Sequence, residues 1–243
     1  MNKTALITGA SRGIGAAIAK EFAANNYNLA ICCLNSSDKL FSLAKELQKK
    51  YKITVLTFVG DVSDYNFVES MVDSTLSEFN HIDVLINNAG ISHIGLLADM
   101  TISDWNKIVS TNLTSVFSTC NCVVPSMVSR KSGKILQISS VWGNVGASCE
   151  VAYSACKGGI NSFTKALGKE LAPSDIQVNA IACGVIDTEM NHCFSDEERR
   201  ALADEIPASR FGKPEEVAKL ALDLCTGNEY LTGQIITLDG GWT

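Results

Sequence analysis

The chain has 243 residues, 46% hydrophobic and 19% charged, the balance of a well-packed globule with no expectation of disorder. Its formal net charge of −6 leaves no basic face to neutralise phosphates, which argues against nucleic-acid binding. No apolar run approaches the ~20 residues that cross a bilayer, and Met1-Asn2-Lys3-Thr4 enters Ala5-Leu6-Ile7 without room for a signal peptide, so no membrane association and a cytoplasmic location are expected.

In chain order, short β-branched or apolar runs alternate with longer amphipathic segments. Ala5 to Thr8, Leu29 to Cys33, Thr54 to Val59, Val84 to Ile86, Ile135 to Ser139, Gln177 to Ile181 and Ile235 to Leu238 read as strands. Stretches such as Ile14 to Ala24, Asp64 to Phe79 and Ala152 to Ala172 have helical period and length. Repeated βαβ units follow, predicting one α/β domain over 1–243: a seven-stranded, mainly parallel sheet with helices on both faces. Asp64 caps one helix, Ser103-Asp104 the next, and Pro173 stops the long one.

The least regular stretch is 188–213, where Asn191-His192-Cys193-Phe194 precedes the charged run Asp196 to Arg200. The run reads as a solvated helix face, and the whole stretch, following the sixth strand, suits a flap over a site. Nine cysteines without a C-x-x-C pair read as reduced thiols, mostly small core hydrophobes. The three histidines, His81, His93 and His192, show no ligand spacing, so no metal is expected.

The first strand runs into Thr8-Gly9-Ala10-Ser11-Arg12-Gly13-Ile14-Gly15 and opens a helix. In that context Gly9, Gly13 and Gly15 let backbone approach a pyrophosphate, while the N–H groups from Ser11 to Ile14 and the helix dipole favour the anion. A bare strand-to-helix turn is the competing reading. NAD sites place an acid ~20 residues on, yet 27–37 holds none. Arg12, Asn35 and Ser36 instead offer a cation and polar groups to a 2′-phosphate, which favours NADP(H). Asp61-Val62 and Asn87-Asn88-Ala89-Gly90 follow the third and fourth strands, at the strand ends where such sheets bind ligands. Asp61 is placed to accept from an adenine amine.

Tyr153 and Lys157 are four residues apart on an expected helix, so they share a face. A neighbouring ammonium favours phenolate and brings the phenol toward a useful pH for proton exchange with a substrate oxygen. Ser140 ends the fifth strand, where a hydroxyl can polarise a carbonyl, and Asn112, in the apolar helix that begins near Ser103, can hold a water in a proton path. Ser139 competes with Ser140, because strand alternation lets only one of them face the site.

On these residues the chain resembles the short-chain dehydrogenase/reductase family over essentially its full length. Thr8 to Gly15 matches the family's T-G-x-x-x-G-x-G loop, Asn87 to Gly90 its N-N-A-G stretch, and Asn112, Ser140, Tyr153 and Lys157 its catalytic tetrad. The resemblance implies a single doubly wound (Rossmann) domain, hydride transfer at a nicotinamide, frequent homotetramers, and carboxamide contacts at Ile186 and Thr188. Thr111-Asn112-Leu113, Val178-Asn179-Ala180, Leu231-Thr232-Gly233-Gln234 and Asp239-Gly240-Gly241 look most like β-ketoacyl-acyl carrier protein reductases, implying a 3-oxoacyl thioester on a carrier protein, or another small-molecule carbonyl, as substrate. Relatives acting on other ketones, sugars or a ketone-modified elongation factor P share much the same motifs.

Where the family usually has Pro-Gly after the sixth strand, this chain has Cys183-Gly184, which predicts a looser loop and an inert or oxidation-sensitive thiol. His93, Trp142 and Asn144 are candidates to line the substrate pocket. Two rival classes remain: a catalytically silent dinucleotide sensor, and a scaffold using the apolar helix Val109 to Val128 as a subunit interface.

Overall fold

The computed structural model describes residues 2–191 and 195–243; His192, Cys193 and Phe194, within the expected flap, lie outside the described residues. Seven strands, β1 (Thr4–Ile7), β2 (Asn28–Cys33), β3 (Val55–Val59), β4 (Val84–Asn87), β5 (Gly133–Ser140), β6 (Ile176–Cys183) and β7 (Ile235–Leu238), form one sheet in the order β3-β2-β1-β4-β5-β6-β7. Every pairing is parallel, so the sheet expected as mainly parallel is wholly so.

The helices are α1 (Gly13–Ala24), α2 (Ser37–Tyr51), α3 (Tyr65–Phe79), α4 (Ile102–Val109), α5 (Ser115–Arg130), α6 (Trp142–Val145), α7 (Val151–Leu171), α8 (Asp196–Glu205) and α9 (Pro214–Thr226). Strand alternation divides the core into two layers. Ala5 and Ile7 join Ile18, Phe22 and Val217 on the side of α1 and α9, whereas Leu6 joins Val68, Val116 and Ile160 on the side of α3, α5 and α7. The strand order reverses between β1 and β4, leaving a crevice at their C-terminal ends into which the first and fourth loops open.

Three local expectations change. Thr101, rather than Ser103-Asp104, caps α4; Asp104 completes the capping box from the third helical position. The helix expected to run on through Asn112 is interrupted by a π-helical turn, Ser110–Thr114, between α4 and α5. Cys183 is not in a loosened loop: it is the last residue of β6, 5% exposed and in register with Ser140 and Leu238. Burial pushes its thiol up to about 12, which keeps it protonated and unreactive.

No residue of α8 is buried, and its charged run forms an exposed helix capped by Ser195 and Glu198. Among the described residues, no helix is long and apolar enough to cross a membrane. The eight described cysteines are all free thiols.

Candidate active site

The glycine loop joins β1 to α1 and is braced from β4. Thr8 Oγ1 accepts from the backbone N–H groups of Asn88 and Ala89, both at 3.0 Å, and Asn88 Nδ2 donates to the carbonyl oxygens of Thr8 at 2.9 Å and Gly9 at 3.0 Å. Asn88, expected at the cofactor, thus spends its amide on holding the loop. Gly9 has φ +66°, and a Cβ there would lie 2.9 Å from Ala89 Cα; a Cβ at Gly15 would strike the Gly9 carbonyl oxygen. Only glycine allows this turn and this approach of helix to strand. No side chain caps the start of α1, so its first N–H groups remain available to an anion. A bare backbone cradle, an uncapped helix and nearby cations together fit a dinucleotide pyrophosphate.

Asn35 is exposed and Ser36 half-buried at the start of α2, and Ser36 makes no side-chain cap there. Arg12 Nη1 pairs at 3.0 Å with Glu189, a residue that also accepts from Lys39 at 2.6 Å. Sequence reasoning missed both Lys39 and Glu189. The available signal was Lys39 in the first turn of a helix, where the dipole disfavours a cation. Asp61 Oδ1 accepts from the Ser63 N–H at 2.9 Å, and the neighbouring Val62 is buried. The Ile186 side chain is also buried, in the core layer of α1 and α9, while its backbone bridges Gly212. Thr188 lies over the loop, its Cγ2 3.3 Å from where a Gly13 Cβ would stand.

The candidate catalytic residues come from the end of β5, from α7 and from the π turn before α5. Ser140 and Ser139 separate as alternation requires. Ser139 Oγ donates to Asn161 Oδ1 at 2.6 Å, and Asn161 Nδ2 donates to Oδ1 of the exposed Asn144 at 2.8 Å. Ser140 is close enough to Tyr153 to favour its phenolate, and accepts from the Trp142 N–H at 3.2 Å. Tyr153 and Lys157 both lie on α7, with the ammonium 5.5 Å from the ring centroid.

Lys157 Nζ donates to the Ile138 carbonyl oxygen at 2.7 Å, and burial pulls its pKa down to about 8. The expected depression of the Tyr153 pKa is reversed in direction. Burial raises it, Ser140 works against that rise, and the neighbouring Cys183, Glu150 and Cys156 add to it. Asn112 is fully buried on the π turn, where its Oδ1 accepts from the Ile91 N–H and its Nδ2 donates to the Ile91 carbonyl oxygen, both at 2.8 Å. Gly90 keeps this junction open: a Cβ there would stand 2.8 Å from Asn112 Oδ1 and 3.8 Å from Lys157 Nζ. Trp142 packs on Trp242, ring centroids 4.9 Å apart; the second tryptophan was not foreseen. Ile94 and Leu96 after β4, Val145 of α6 after β5 and Met190 after β6 are exposed apolar side chains.

This arrangement offers a hydroxyl and a phenol to one substrate oxygen, with a buried ammonium behind them. The family model described as short chain dehydrogenase matches residues 3–199. The chain is 40% identical over 243 residues to an uncharacterized oxidoreductase, YmfI, of Bacillus subtilis, covering 100% of this chain and 99% of that protein. It is also 40% identical over 242 residues to the 3-oxoacyl-[acyl-carrier-protein] reductase FabG of Chlamydia trachomatis, covering 99% and 97%. Among solved structures, a phenylalanine-to-tryptophan variant of actinorhodin polyketide ketoreductase with NADPH superposes with a TM-score of 0.94 at 31% identity, covering 99% of this chain and 97% of that one.

Proposed function

The chain belongs to the short-chain dehydrogenase family and is a nicotinamide-dependent oxidoreductase; on that premise we propose that it reduces a 3-oxoacyl thioester carried on acyl carrier protein, with NADPH. The observation that carries the reading is the convergence of Ser140, Tyr153 and Lys157 beside a braced, uncapped glycine loop. A relative named as a 3-oxoacyl-carrier reductase, NADPH in the polyketide ketoreductase structure and the exposed apolar side chains that follow β4, β5 and β6 support the finer assignment.

NADPH, when bound, supplies the hydride. Gly9, Ser11, Gly13, Ile14 and Gly15 hold the pyrophosphate by backbone, with Asn88, Ala89 and Gly90 shaping the floor. Asp61 and Val62 border the adenine, Ile186 and Thr188 the carboxamide. Arg12 and Lys39, with Asn35 and Ser36, take the 2′-phosphate, since two cations and no facing acid from 27–37 suit an added dianion.

Ser140 Oγ donates to the carbonyl oxygen and draws charge toward it. Tyr153 gives its phenolic proton to that oxygen as the carbon is reduced, and the phenolate left behind is stabilised by the Lys157 ammonium. Lys157 also holds the nicotinamide ribose. Asn112, locked on Ile91, keeps the junction between Gly90 and Lys157 in register for proton resupply. The stretch 188–213 covers the substrate, and the protein works as a cytoplasmic homotetramer, for which sedimentation at micromolar concentration is the check.

The deciding assay follows NADPH consumption with an acetoacetyl carrier-protein thioester beside simple ketones and sugars. Faster turnover of the thioester supports the assignment, whereas activity confined to sugars removes it.

A further inference from the structure

The segment after β6 reaches back to the opposite end of the candidate cofactor site. Glu189 opens a short turn, Glu189–Asn191, and divides its two carboxylate oxygens between cations from distant parts of the chain. Oε2 takes Arg12 Nη1 of the glycine loop and Oε1 takes Lys39 Nζ of α2. No side chain caps either helix start beside it, at Arg12 for α1 or at Ser36 for α2. A cation in a first turn sits against the positive end of the helix dipole, and Glu189 is the anion that offsets it. The two partners hold its carboxyl below the ordinary value.

We propose that Glu189 is an internal stand-in for the cofactor's 2′-phosphate: it latches the loop after β6 onto Arg12 and Lys39, and the incoming phosphate displaces it. The inference rests on the reading of Arg12 and Lys39 as the 2′-phosphate site. A carboxylate and a phosphate compete for the same N–H donors, and exposed ion pairs exchange partners at little cost.

The rest of the loop is anchored independently of this contact. Ile186 bridges Gly212, Asp187 pairs with Arg199 at 2.7 Å, and Asn191 Nδ2 donates to the Ile186 carbonyl oxygen at 2.7 Å. Displacement therefore frees one side chain without unmooring the segment. Glu189 is a positioning residue that selects between cofactors: it opposes a ligand carrying the 2′-phosphate and is indifferent to one lacking it.

The test uses two probes without nicotinamide, adenosine 2′,5′-bisphosphate and 5′-AMP, titrated calorimetrically into the full-length wild type, Glu189→Gln and the double variant Arg12→Gln/Lys39→Gln. Glu189→Gln is expected to bind the bisphosphate about five-fold more tightly and 5′-AMP within about two-fold of wild type. A change shared by both probes marks a merely structural role and overturns the latch. So does an unchanged or weakened bisphosphate affinity in Glu189→Gln while the double variant loses the wild-type preference for that probe; the phosphate site then survives without the latch. Equal affinity of the wild type for both probes, with no effect of the double variant, overturns the phosphate site itself and the latch with it.

Discussion

The two ends of the candidate site handle charge in opposite ways. At the reacting end Lys157 is 4% exposed, its ammonium tied to a strand carbonyl, and Asn112 is fully buried. At the phosphate end the side chains of Arg12, Lys39 and Glu189 are 58%, 55% and 38% exposed. A buried ammonium that loses its partner is left as an uncompensated charge, so its position is fixed. Exposed cations are screened by water and salt and pass from one anion to another. In the proposed scheme the chemistry is thus placed by the interior, and cofactor choice is left to groups that exchange.

The contrast predicts a graded set of losses, largest at the buried end. Tyr153→Phe removes the proton donor and is expected to lower kcat about 10³-fold while NADPH affinity, measured by fluorescence titration, stays at the wild-type value; wild-type turnover would remove Tyr153 from the reaction. Asn112→Ala leaves both backbone groups of Ile91 without their partner, at a cost of about 2 kcal/mol. For a chain of this size that lowers the calorimetric Tm by roughly 4–8 °C. An unchanged Tm would show that the π turn does not depend on its asparagine.

At the exposed end the effects shrink and become selective. Arg12→Gln is expected to weaken NADPH binding about ten-fold and leave NADH nearly unchanged, so equal losses for the two cofactors would contradict its place at the phosphate. The same weakening is expected when salt is raised, and only for NADPH.

The pH dependence separates the ends again. Lys157 titrates at about 8 against an ordinary 10.5. A lysine depressed in the folded state makes stability rise with pH between those two values, where the unfolded chain still binds the proton. Turnover, which uses the charged ammonium, instead falls as pH rises through about 8. A rate that stays level to pH 10 would show that the ammonium is dispensable.

The strand runs, the glycine loop and the four-residue step from Tyr153 to Lys157 are local patterns, and they determined the fold class and the pieces of the site. Alternation also narrowed Ser139 and Ser140 to a single occupant of the site, because adjacent strand residues face opposite layers. The family motif chose Ser140, and the tertiary structure shows where Ser139 goes instead, onto the Asn161 side chain. Asn112 was identified by its motif, but its π turn was illegible, since an extra residue in a helix leaves the polar pattern nearly unchanged. Cys183 looked like a loosened loop position because its neighbours in β5 and β7 are not sequence neighbours.

What the sequence by itself determined is the order of the βαβ units and the chemistry they carry. What only the tertiary structure decided is who meets whom: Asn88 on the glycine loop, Trp142 on Trp242, and Glu189 on Arg12 and Lys39 across 177 and 150 residues of chain. Periodicity reports the face a residue presents, and partners at such distances are set by how seven strands stack.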